Sequence, residues 1–168
     1  MAASPLLDVQ ALHAGYGETE VLRGVDLIVS PGEIVAVLGS NGVGKSTLNR
    51  TLSGVVRARA GAIHFDGVSI EREGPPSIVA RGLMAEPKLL ILDEPSLGLS
   101  PLLVEELFTL IERIRADGVA ILLVEQNVVQ SLEVADRAYI LADGVFVMSG
   151  AAATIADNPE LKRAYLGL

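Results

Sequence analysis

The sequence predicts an α/β fold with a mostly parallel sheet and a small antiparallel β layer at its N-terminus. Two observations support this prediction. First, three continuous apolar segments have the pattern of parallel strands covered on both faces: EIVAVLG at 33–39, KLLILD at 88–93 and GVAILLVE at 118–125. Second, amphipathic helical segments alternate with apolar strands along the chain, as in the connections of a parallel sheet.

The remaining strands are predicted from shorter patterns. Segments 9–17 and 25–30 alternate partly between apolar and polar residues, so we expect two short strands near the edge of the sheet. These two strands form the small N-terminal layer. Segment 62–67 is a further strand, and 138–150 is a hairpin that turns at the Asp-Gly pair 143–144.

Capping residues mark the ends of two helices. The first is predicted to follow a glycine-rich segment and to end near Leu52, with Gly54 placed to cap it. The second begins with Ser100 as N-cap and Pro101 as its first residue, and Gly118 can end it. Its apolar face is predicted to comprise Leu103, Leu107, Leu110, Ile111 and Ile114.

Composition restricts the classes of function. The chain has 168 residues, half of them hydrophobic and a fifth charged, so a single globular domain spanning 1–168 is expected. A formal net charge of −8 disfavours nucleic-acid binding, which depends on neutralising phosphates. The longest apolar run, VAILLV at 119–124, is far shorter than the ~20 residues of a spanning helix, so we expect no direct membrane insertion.

The segment LGSNGVGKST contains the pattern G-x4-G-K-S, with Gly39, Gly44, Lys45 and Ser46 at its defined positions. Glycines let backbone N–H groups surround phosphates, and the N-terminus of the following helix favours negative charge. Lys45 can reach the outer phosphates, and the Ser46 hydroxyl can ligate Mg²⁺. A glycine-rich turn without a ligand is the alternative, but strand, loop and helix occur in the order that phosphate binding requires.

Two acids, Asp93 and Glu94, end the apolar segment KLLILDEP. Ligands of open parallel sheets bind beyond the carboxyl ends of the strands. Asp93 could therefore hold Mg²⁺ through water, and Glu94 could orient an attacking water. A solvated acidic turn would explain an isolated pair of acids better, but the phosphate loop favours the functional interpretation.

Two further polar side chains are candidates. Tyr16, in YGETEVL upstream of the loop, could stack on adenine or be a half-exposed tyrosine of an edge strand. The residues alone do not decide between these interpretations. Gln126 directly follows the strand ILLVE, near where a γ-phosphate would lie.

Together these motifs resemble the nucleotide-binding subunits of ABC transporters, whose core is a RecA-like P-loop NTPase domain. Within this class the chain looks similar to the ATPase subunits of branched-chain amino-acid importers and of related urea or short-amide importers. The resemblance covers nearly all of the residues, including the SLGL segment at 96–99 and the tail PELKRAYLGL at 159–168.

The resemblance implies a role for each candidate. Tyr16 is the adenine-stacking aromatic, Asp93 the magnesium carboxylate and Glu94 the catalytic glutamate. Residues 96–99 form the loop that faces a partner subunit. Gln126 stands where most of the superfamily has a switch histidine, and a glutamine can hydrogen-bond a phosphate but cannot take its proton. The phosphate loop comprises Gly39, Ser40, Asn41, Gly42, Val43, Gly44, Lys45, Ser46 and Thr47.

The same resemblance implies cofactors, partners and a location. The cofactors are ATP and Mg²⁺. The partners are membrane-embedded permease subunits and a second ATPase subunit. The expected location is cytoplasmic and peripheral, at the inner face of the cell membrane.

One interval departs from the family pattern. Lys45 and Asp93 are 48 positions apart, whereas the resemblance implies more than twice that interval. The missing part would carry a core strand ending in a magnesium-sensing glutamine, a helical subdomain that meets the membrane partner, and the signature Leu-Ser-Gly-Gly-Gln. Residues 52–54 read Leu-Ser-Gly but continue with Val55 and end the phosphate-loop helix. We therefore expect an internal deletion with its junction near 80–83.

The deletion leaves alternative functions open. The first is an ATPase subunit that couples ATP hydrolysis to amino-acid import, and the second is an ATP-binding remnant without productive hydrolysis or transport. A P-loop ATPase outside transport is disfavoured by the SLGL segment and the C-terminal tail. For the fold, loss of a core strand predicts either a gap closed by re-pairing or an exposed sheet edge.

Overall fold

Two β-sheets form the framework of the computed structural model, which describes residues 4–78 and 87–166. The first sheet has the strand order β2-β1-β4-β5 and contains β1 (Leu7–Tyr16), β2 (Thr19–Val29), β4 (Ala58–Phe65) and β5 (Val68–Ser69). The second has the order β6-β7-β3-β8-β9 and contains β3 (Ile34–Leu38), β6 (Leu89–Asp93), β7 (Ala120–Glu125), β8 (Arg137–Ala142) and β9 (Val145–Ala151). The first sheet is antiparallel, and in the second all pairings are parallel except that of β8 with β9.

Helices connect and cover these strands. They are α1 (Lys45–Leu52), α2 (Pro101–Ala116), α3 (Val128–Val134), α4 (Ala152–Ala156), α5 (Pro159–Leu161) and a terminal π-helix (Lys162–Leu166). In the described ranges, none of the helices has the length and apolar character needed to cross a membrane. The predicted deletion junction near 80–83 lies outside the described residues.

The predicted α/β fold is confirmed, both in its mostly parallel sheet and in its N-terminal antiparallel layer. One detail is corrected: segments 9–17 and 25–30 were expected near the edge of the sheet, but their layer is a sheet of its own. β1 pairs with β2 on one side and with β4 on the other, so these strands form a separate antiparallel sheet. Their alternate side chains, such as Leu12 and Leu27, are buried because this sheet covers one face of the parallel sheet.

The central strand β3 is covered on both faces, which explains its continuous apolar sequence. Val35 and Val37 pack in the core cluster that also contains Leu48 of α1 and the buried side chains of the antiparallel sheet. Ala36 and Leu38 point to the opposite face and pack with α3 and α4. Both faces of β3 are therefore removed from water, which is the arrangement that a parallel strand requires.

Helix α2 begins at Pro101 as predicted, and Ile111 is buried as predicted, with Leu107 and Ile114 partly buried, but the centre of the buried face is rotated. Leu103 and Leu110 are 46% and 51% exposed. The buried residues of α2 are Val104, Phe108 and Ile111. These positions follow the i, i+4, i+7 spacing of one helix face, so the neighbouring positions lie at its flank. The apolar residues of the helix cover both the predicted and the observed face, and packing against β7 determines which face is buried.

Strand β6 lies at an edge of the parallel sheet, since among the described strands it pairs only with β7. Its residues Leu89–Leu92 are only half-buried, unlike the fully buried strands β3 and β7. Of the two alternatives, the described strands show no re-pairing on the outer side of β6. An exposed edge offers unpaired backbone groups to other chains and so favours aggregation.

Candidate nucleotide-binding site

Three adjacent strands bring the predicted site residues to one edge of the sheet. β3, β7 and β6 are parallel neighbours, with Leu38 opposite Glu125 and Asp93 opposite Val124. The loops after these strands therefore leave the sheet side by side. They are the phosphate loop 39–47, the acidic turn that contains Glu94, and the turn at Gln126.

The phosphate loop runs from the end of β3 into the first turn of α1. Within it Gly39, Gly44, Lys45 and Thr47 are buried, whereas Ser40, Asn41, Gly42 and Ser46 are exposed and Val43 is half-buried. Gly44 has φ +114°, a conformation that favours glycine. A Cβ at Gly39 would lie 2.5 Å from the Leu141 carbonyl oxygen, so the loop packs too closely there for any side chain.

The turn between β8 and β9 is hydrogen-bonded to the phosphate loop. Asp143 and Gly144 have φ of +47° and +78°, as expected for the predicted two-residue hairpin turn. The Gly144 N–H donates to the Val43 carbonyl at 3.1 Å, and the Arg23 N–H donates to the Gly144 carbonyl at 2.9 Å. The turn thus connects β2 with the phosphate loop, a contact that the hairpin pattern alone did not predict.

Lys45 joins the phosphate loop to the acidic turn. Its ammonium donates to the carbonyl oxygens of Gly39 at 2.8 Å and Ser40 at 3.0 Å, and its Nζ lies 3.1 Å from Glu94 Oε1. The lysine side chain is only 3% exposed. An ammonium has three hydrogens to donate, and these three partners use them all. A phosphate group entering the site would therefore take the place of one partner.

A cleft of about 300 Å³ opens between the phosphate loop, β2 and the acidic turn. Its lining residues are Val21, Asn41, Gly42, Gly44, Lys45, Ser46, Thr47 and Glu94. Of the other predicted residues, Asp93 is exposed at the end of β6 and is not part of this lining. Val21 was missed by sequence reasoning, because only the tertiary contact of the antiparallel sheet brings it to the loop.

Glu94 has a backbone conformation that is rare for its residue type. Its φ is +48°, and such conformations cost of order 1–3 kcal/mol and occur preferentially at functional sites. The turn is held by the Glu94 N–H, which donates to the Val124 carbonyl at 2.7 Å, and by the Leu97 N–H, which donates to the Glu94 carbonyl at 3.1 Å. The carboxylate is thereby directed to Lys45.

Tyr16 lies at the end of β1, outside the lining of the main cleft. It is 44% exposed, and its hydroxyl accepts a hydrogen bond from Arg50 at 3.3 Å. The hydrogen bond from Arg50, followed by one involving Thr47, holds the pKa of the Tyr16 hydroxyl below its usual range. The contacts with Arg50 and Thr47 place the ring next to α1, within one turn of the phosphate loop.

Gln126 lies in a second cleft, of about 280 Å³, that adjoins the first. Its side chain is exposed, and Glu94 lines both clefts. Glu94 is thus common to the cleft that contains Lys45 and the cleft that contains Gln126. The neighbouring residue Glu125 is only 1% exposed, and sequence reasoning did not single it out.

The donor set of the first cleft fits a nucleotide phosphate better than a dedicated metal centre. Among the described residues, no cluster of three or more His, Asp or Glu could hold a metal ion. Mg²⁺ does not need such a cluster, because it commonly binds through one or two carboxylates together with substrate phosphates and water. Ser46 and Asp93 have the oxygen chemistry for this kind of binding.

Comparison with known proteins identifies the family. The profile of the family described as "ABC transporter" matches residues 22–78. The high-affinity branched-chain amino acid transport ATP-binding protein BraG of Pseudomonas aeruginosa is 32% identical, over 96% of this chain and 100% of the relative. The lipopolysaccharide export system ATP-binding protein LptB of Acidithiobacillus ferridurans is 28% identical, over 98% of each chain. The chain belongs to the ABC transporter ATP-binding proteins.

The fold agrees with this assignment. A crystal structure of the ADP conformation of an ATP-binding cassette of an ABC transporter superposes with a TM-score of 0.86, at 18% identity, over 99% of this chain and 100% of that chain. The family binds ATP, and its ATPase subunits assemble with transporter complexes. The alignment with BraG has 232 positions, whereas the chain has 168 residues, so at least 64 aligned positions contain no residue of this chain.

Proposed function

We propose that this ATP-binding subunit holds Mg²⁺-ATP in the cleft at Lys45 and belongs to a branched-chain amino-acid importer. The contacts of Lys45 support the binding of Mg²⁺-ATP, because they connect the phosphate loop with Glu94 at a position that is nearly free of solvent. The similarity to the branched-chain amino acid transport protein BraG, at 32% identity, supports the solute class. A urea or short-amide importer is the alternative.

The site residues receive the following roles in this proposal. The phosphate loop binds the phosphates through its backbone N–H groups and Lys45. Ser46 and Asp93 hold Mg²⁺, Asp93 through water. Glu94 orients the attacking water, and Gln126 hydrogen-bonds the γ-phosphate. The adjacency of strands β3, β7 and β6 supports this assignment, since it brings all of these residues to one edge of the sheet.

We also propose that an internal segment of the family domain, containing the helical subdomain and the signature, is missing from this chain. The alignment positions that contain no residue of this chain support this deletion. The edge position of β6 supports it too, since the missing part would include a core strand. The same observations favour a second candidate function, an ATP-binding remnant without productive hydrolysis or transport.

Partners and location follow from the family in this proposal. The family partners are membrane-embedded permease subunits and a second ATPase subunit, at the inner face of the cell membrane, and the proposed deletion would remove most of the surface that meets the permease. The SLGL loop at 96–99 would face the second subunit. It presents Leu97, which is 72% exposed, and Leu99, which is 40% exposed.

Thermal unfolding with and without nucleotide tests the binding proposal. A ligand at about 100 times its Kd adds about 2.7 kcal/mol to the free energy of unfolding. For a chain of this size that corresponds to a rise in Tm of about 5–10 °C. We expect this rise with Mg²⁺-ATP and a smaller one with ATP in EDTA. An unchanged Tm at millimolar Mg²⁺-ATP would contradict nucleotide binding.

Replacing the aromatic ring tests the role of Tyr16. Stacking on a base contributes about 1–3 kcal/mol, so Tyr16→Ala is expected to weaken ATP and GTP binding by similar factors of about 5 to 150. Tyr16→Phe is the matched control, because it keeps the ring and removes only the hydroxyl that accepts from Arg50. Titration of fluorescent ATP and GTP analogues measures both. A loss confined to one nucleotide would mean that Tyr16 contacts the edge of the base instead of its face.

A further inference from the structure

A buried carboxylate connects the two loops that flank the nucleotide cleft. Glu125, the last residue of β7, is 1% exposed. Its Oε1 accepts a hydrogen bond from the Ser96 N–H at 2.8 Å, and its Oε2 accepts from the Gln126 N–H at 2.9 Å and more weakly from the Asn127 N–H at 3.4 Å. Within the described part of the chain, no Lys, Arg or His side chain forms an ion pair with it.

The burial of this carboxylate is accounted for by its backbone partners. A buried charge is costly unless it is hydrogen-bonded, and N–H donors to both oxygens supply the compensation. An apolar residue would continue the buried strand AILLV at less cost. We therefore explain the carboxylate at this position by the backbone N–H groups that it binds, those of Ser96, Gln126 and Asn127.

Capping of the following helix does not explain Glu125. The Asn127 side chain already accepts the hydrogen bond from the Gln130 N–H at the N-terminus of α3. The contact with Ser96, in contrast, spans 29 residues of sequence. It links the loop after β6 to the loop after β7.

The two loops joined in this way carry two of the proposed nucleotide contacts. Glu94 precedes Ser96 by two residues, and its N–H is held by the Val124 carbonyl at 2.7 Å. Consecutive residues of β7 thus hold both ends of the acidic turn. The Gln126 N–H donates its hydrogen bond to the same carboxylate. The residues Glu94, Glu125 and Gln126 all line the second cleft.

We propose that Glu125 is a positioning residue of the nucleotide site, which sets the distance between Glu94 and Gln126 on the γ-phosphate side of the cleft. This inference rests on the proposed function. Glu125 does not touch the nucleotide in this arrangement and acts only through the two loops. The phosphate loop does not depend on it, because Lys45 holds that loop through Gly39 and Ser40.

The test is Glu125→Gln, which keeps the size of the side chain but turns an amide NH₂ towards backbone N–H groups that need an acceptor. Because the affected loops face the γ-phosphate, the variant is expected to weaken Mg²⁺-ATP binding by about 10-fold and ADP binding by less than about 3-fold. Isothermal titration with both nucleotides gives the ratio of the two affinities. An ATP-to-ADP ratio unchanged from the parent chain would overturn the proposal.

Glu33→Gln is the matched control. Glu33 also accepts a backbone hydrogen bond, from Ser30 at 2.7 Å, and it pairs with Arg137 at 3.2 Å with its side chain 12% exposed. It precedes β3, at the opposite end of that strand from the phosphate loop. Its replacement is expected to lower Tm without changing the ratio of ATP to ADP affinity. If both variants changed the ratio of ATP to ADP affinity equally, the effect of Glu125→Gln would be explained by general destabilisation. That result would overturn the proposal.

A double-mutant cycle tests whether Glu125 acts on nucleotide affinity through Gln126. Gln126→Ala should lower the ATP-to-ADP affinity ratio in the parent chain and have a smaller effect in the Glu125→Gln background, because the loop is then already displaced. Fully additive effects would contradict the proposal. Failure of the parent chain itself to bind ATP would refute the proposed function, and this inference with it, whereas a binding parent with an unchanged variant refutes the inference alone.

Should Glu125→Gln not fold, hydrogen exchange in the parent chain provides the second measurement. The Ser96 and Gln126 amides donate to the same carboxylate. They are expected to have similar protection and to gain protection together when Mg²⁺-ATP is added. Independent responses of the two amides would overturn the proposed link.

Discussion

The purified chain is expected to bind Mg²⁺-ATP but to release phosphate at a rate far below the ordinary enzyme range of ~1 s⁻¹ or more. Phosphoryl transfer is catalysed almost entirely by positioning and electrostatic stabilisation. The family resemblance implies that the signature of a second subunit and a magnesium-sensing glutamine complete the site, and neither occurs in this sequence. Loss of one preorganised donor can cost ~10²–10³ in rate, and the proposed deletion would remove several.

Steady-state phosphate release is the measurement, with Glu94→Gln as the background. For the same reason, light scattering should detect no ATP-driven dimer of two copies, and no transport is expected. Turnover of ~1 s⁻¹ or more in the parent chain that disappears in Glu94→Gln would contradict the prediction. It would show that a complete site assembles in another way, and it would favour the ATPase subunit over the remnant.

Lys45→Ala is expected to weaken ATP binding by about 10- to 150-fold. The ammonium makes charge-assisted contacts, which contribute about 1.5–3 kcal/mol each. In this structure the side chain is nearly solvent-free, and the Gly39 carbonyl and the Glu94 carboxylate are within 3.1 Å of its Nζ. A phosphate replacing Glu94 as its partner would therefore be bound away from competing water. Titration of a fluorescent ATP analogue into both forms gives the two affinities, and equal affinities would contradict the site assignment.

Glu94→Gln is the matched control for this prediction. It removes the same ion pair of 3.1 Å but keeps the ammonium and the size of the second side chain. Since it also removes a negative charge that competes with phosphate for Lys45, ATP affinity should be retained or increased. A loss as large as that of Lys45→Ala would mean that the ion pair, and not the lysine, supports binding. Tm without nucleotide monitors folding in both variants.

The features that sequence could predict are those contained in short segments. The phosphate loop, the strand before it and the helix after it are contiguous between 33 and 52. The hairpin turn at 143–144 has its own residue signature, and its positive φ angles agree with it. In such segments backbone geometry depends on neighbouring residues, so the local pattern is sufficient.

The features that sequence missed depend on contacts between distant segments. Glu125 looks like the end of a buried strand, and its importance becomes visible only when the Ser96 N–H is found on its carboxylate. The antiparallel layer was predicted, but the pairing of β4 with β1 in it was not, because that pairing joins segments about fifty residues apart. The buried face of α2 was misplaced because its apolar residues cover more than one face, and only packing chose among them.

The sequence by itself determined the α/β class, the phosphate loop and the family resemblance, because apolar periodicity and a glycine-rich motif are local properties. Only the tertiary structure decided that Lys45 contacts Glu94 and that β6 lies at a sheet edge among the described strands. It also decided which carboxylate joins the loops after β6 and β7. The order of strands in a sheet results from long-range pairing and burial, so the placing of loops side by side is a property of the folded chain.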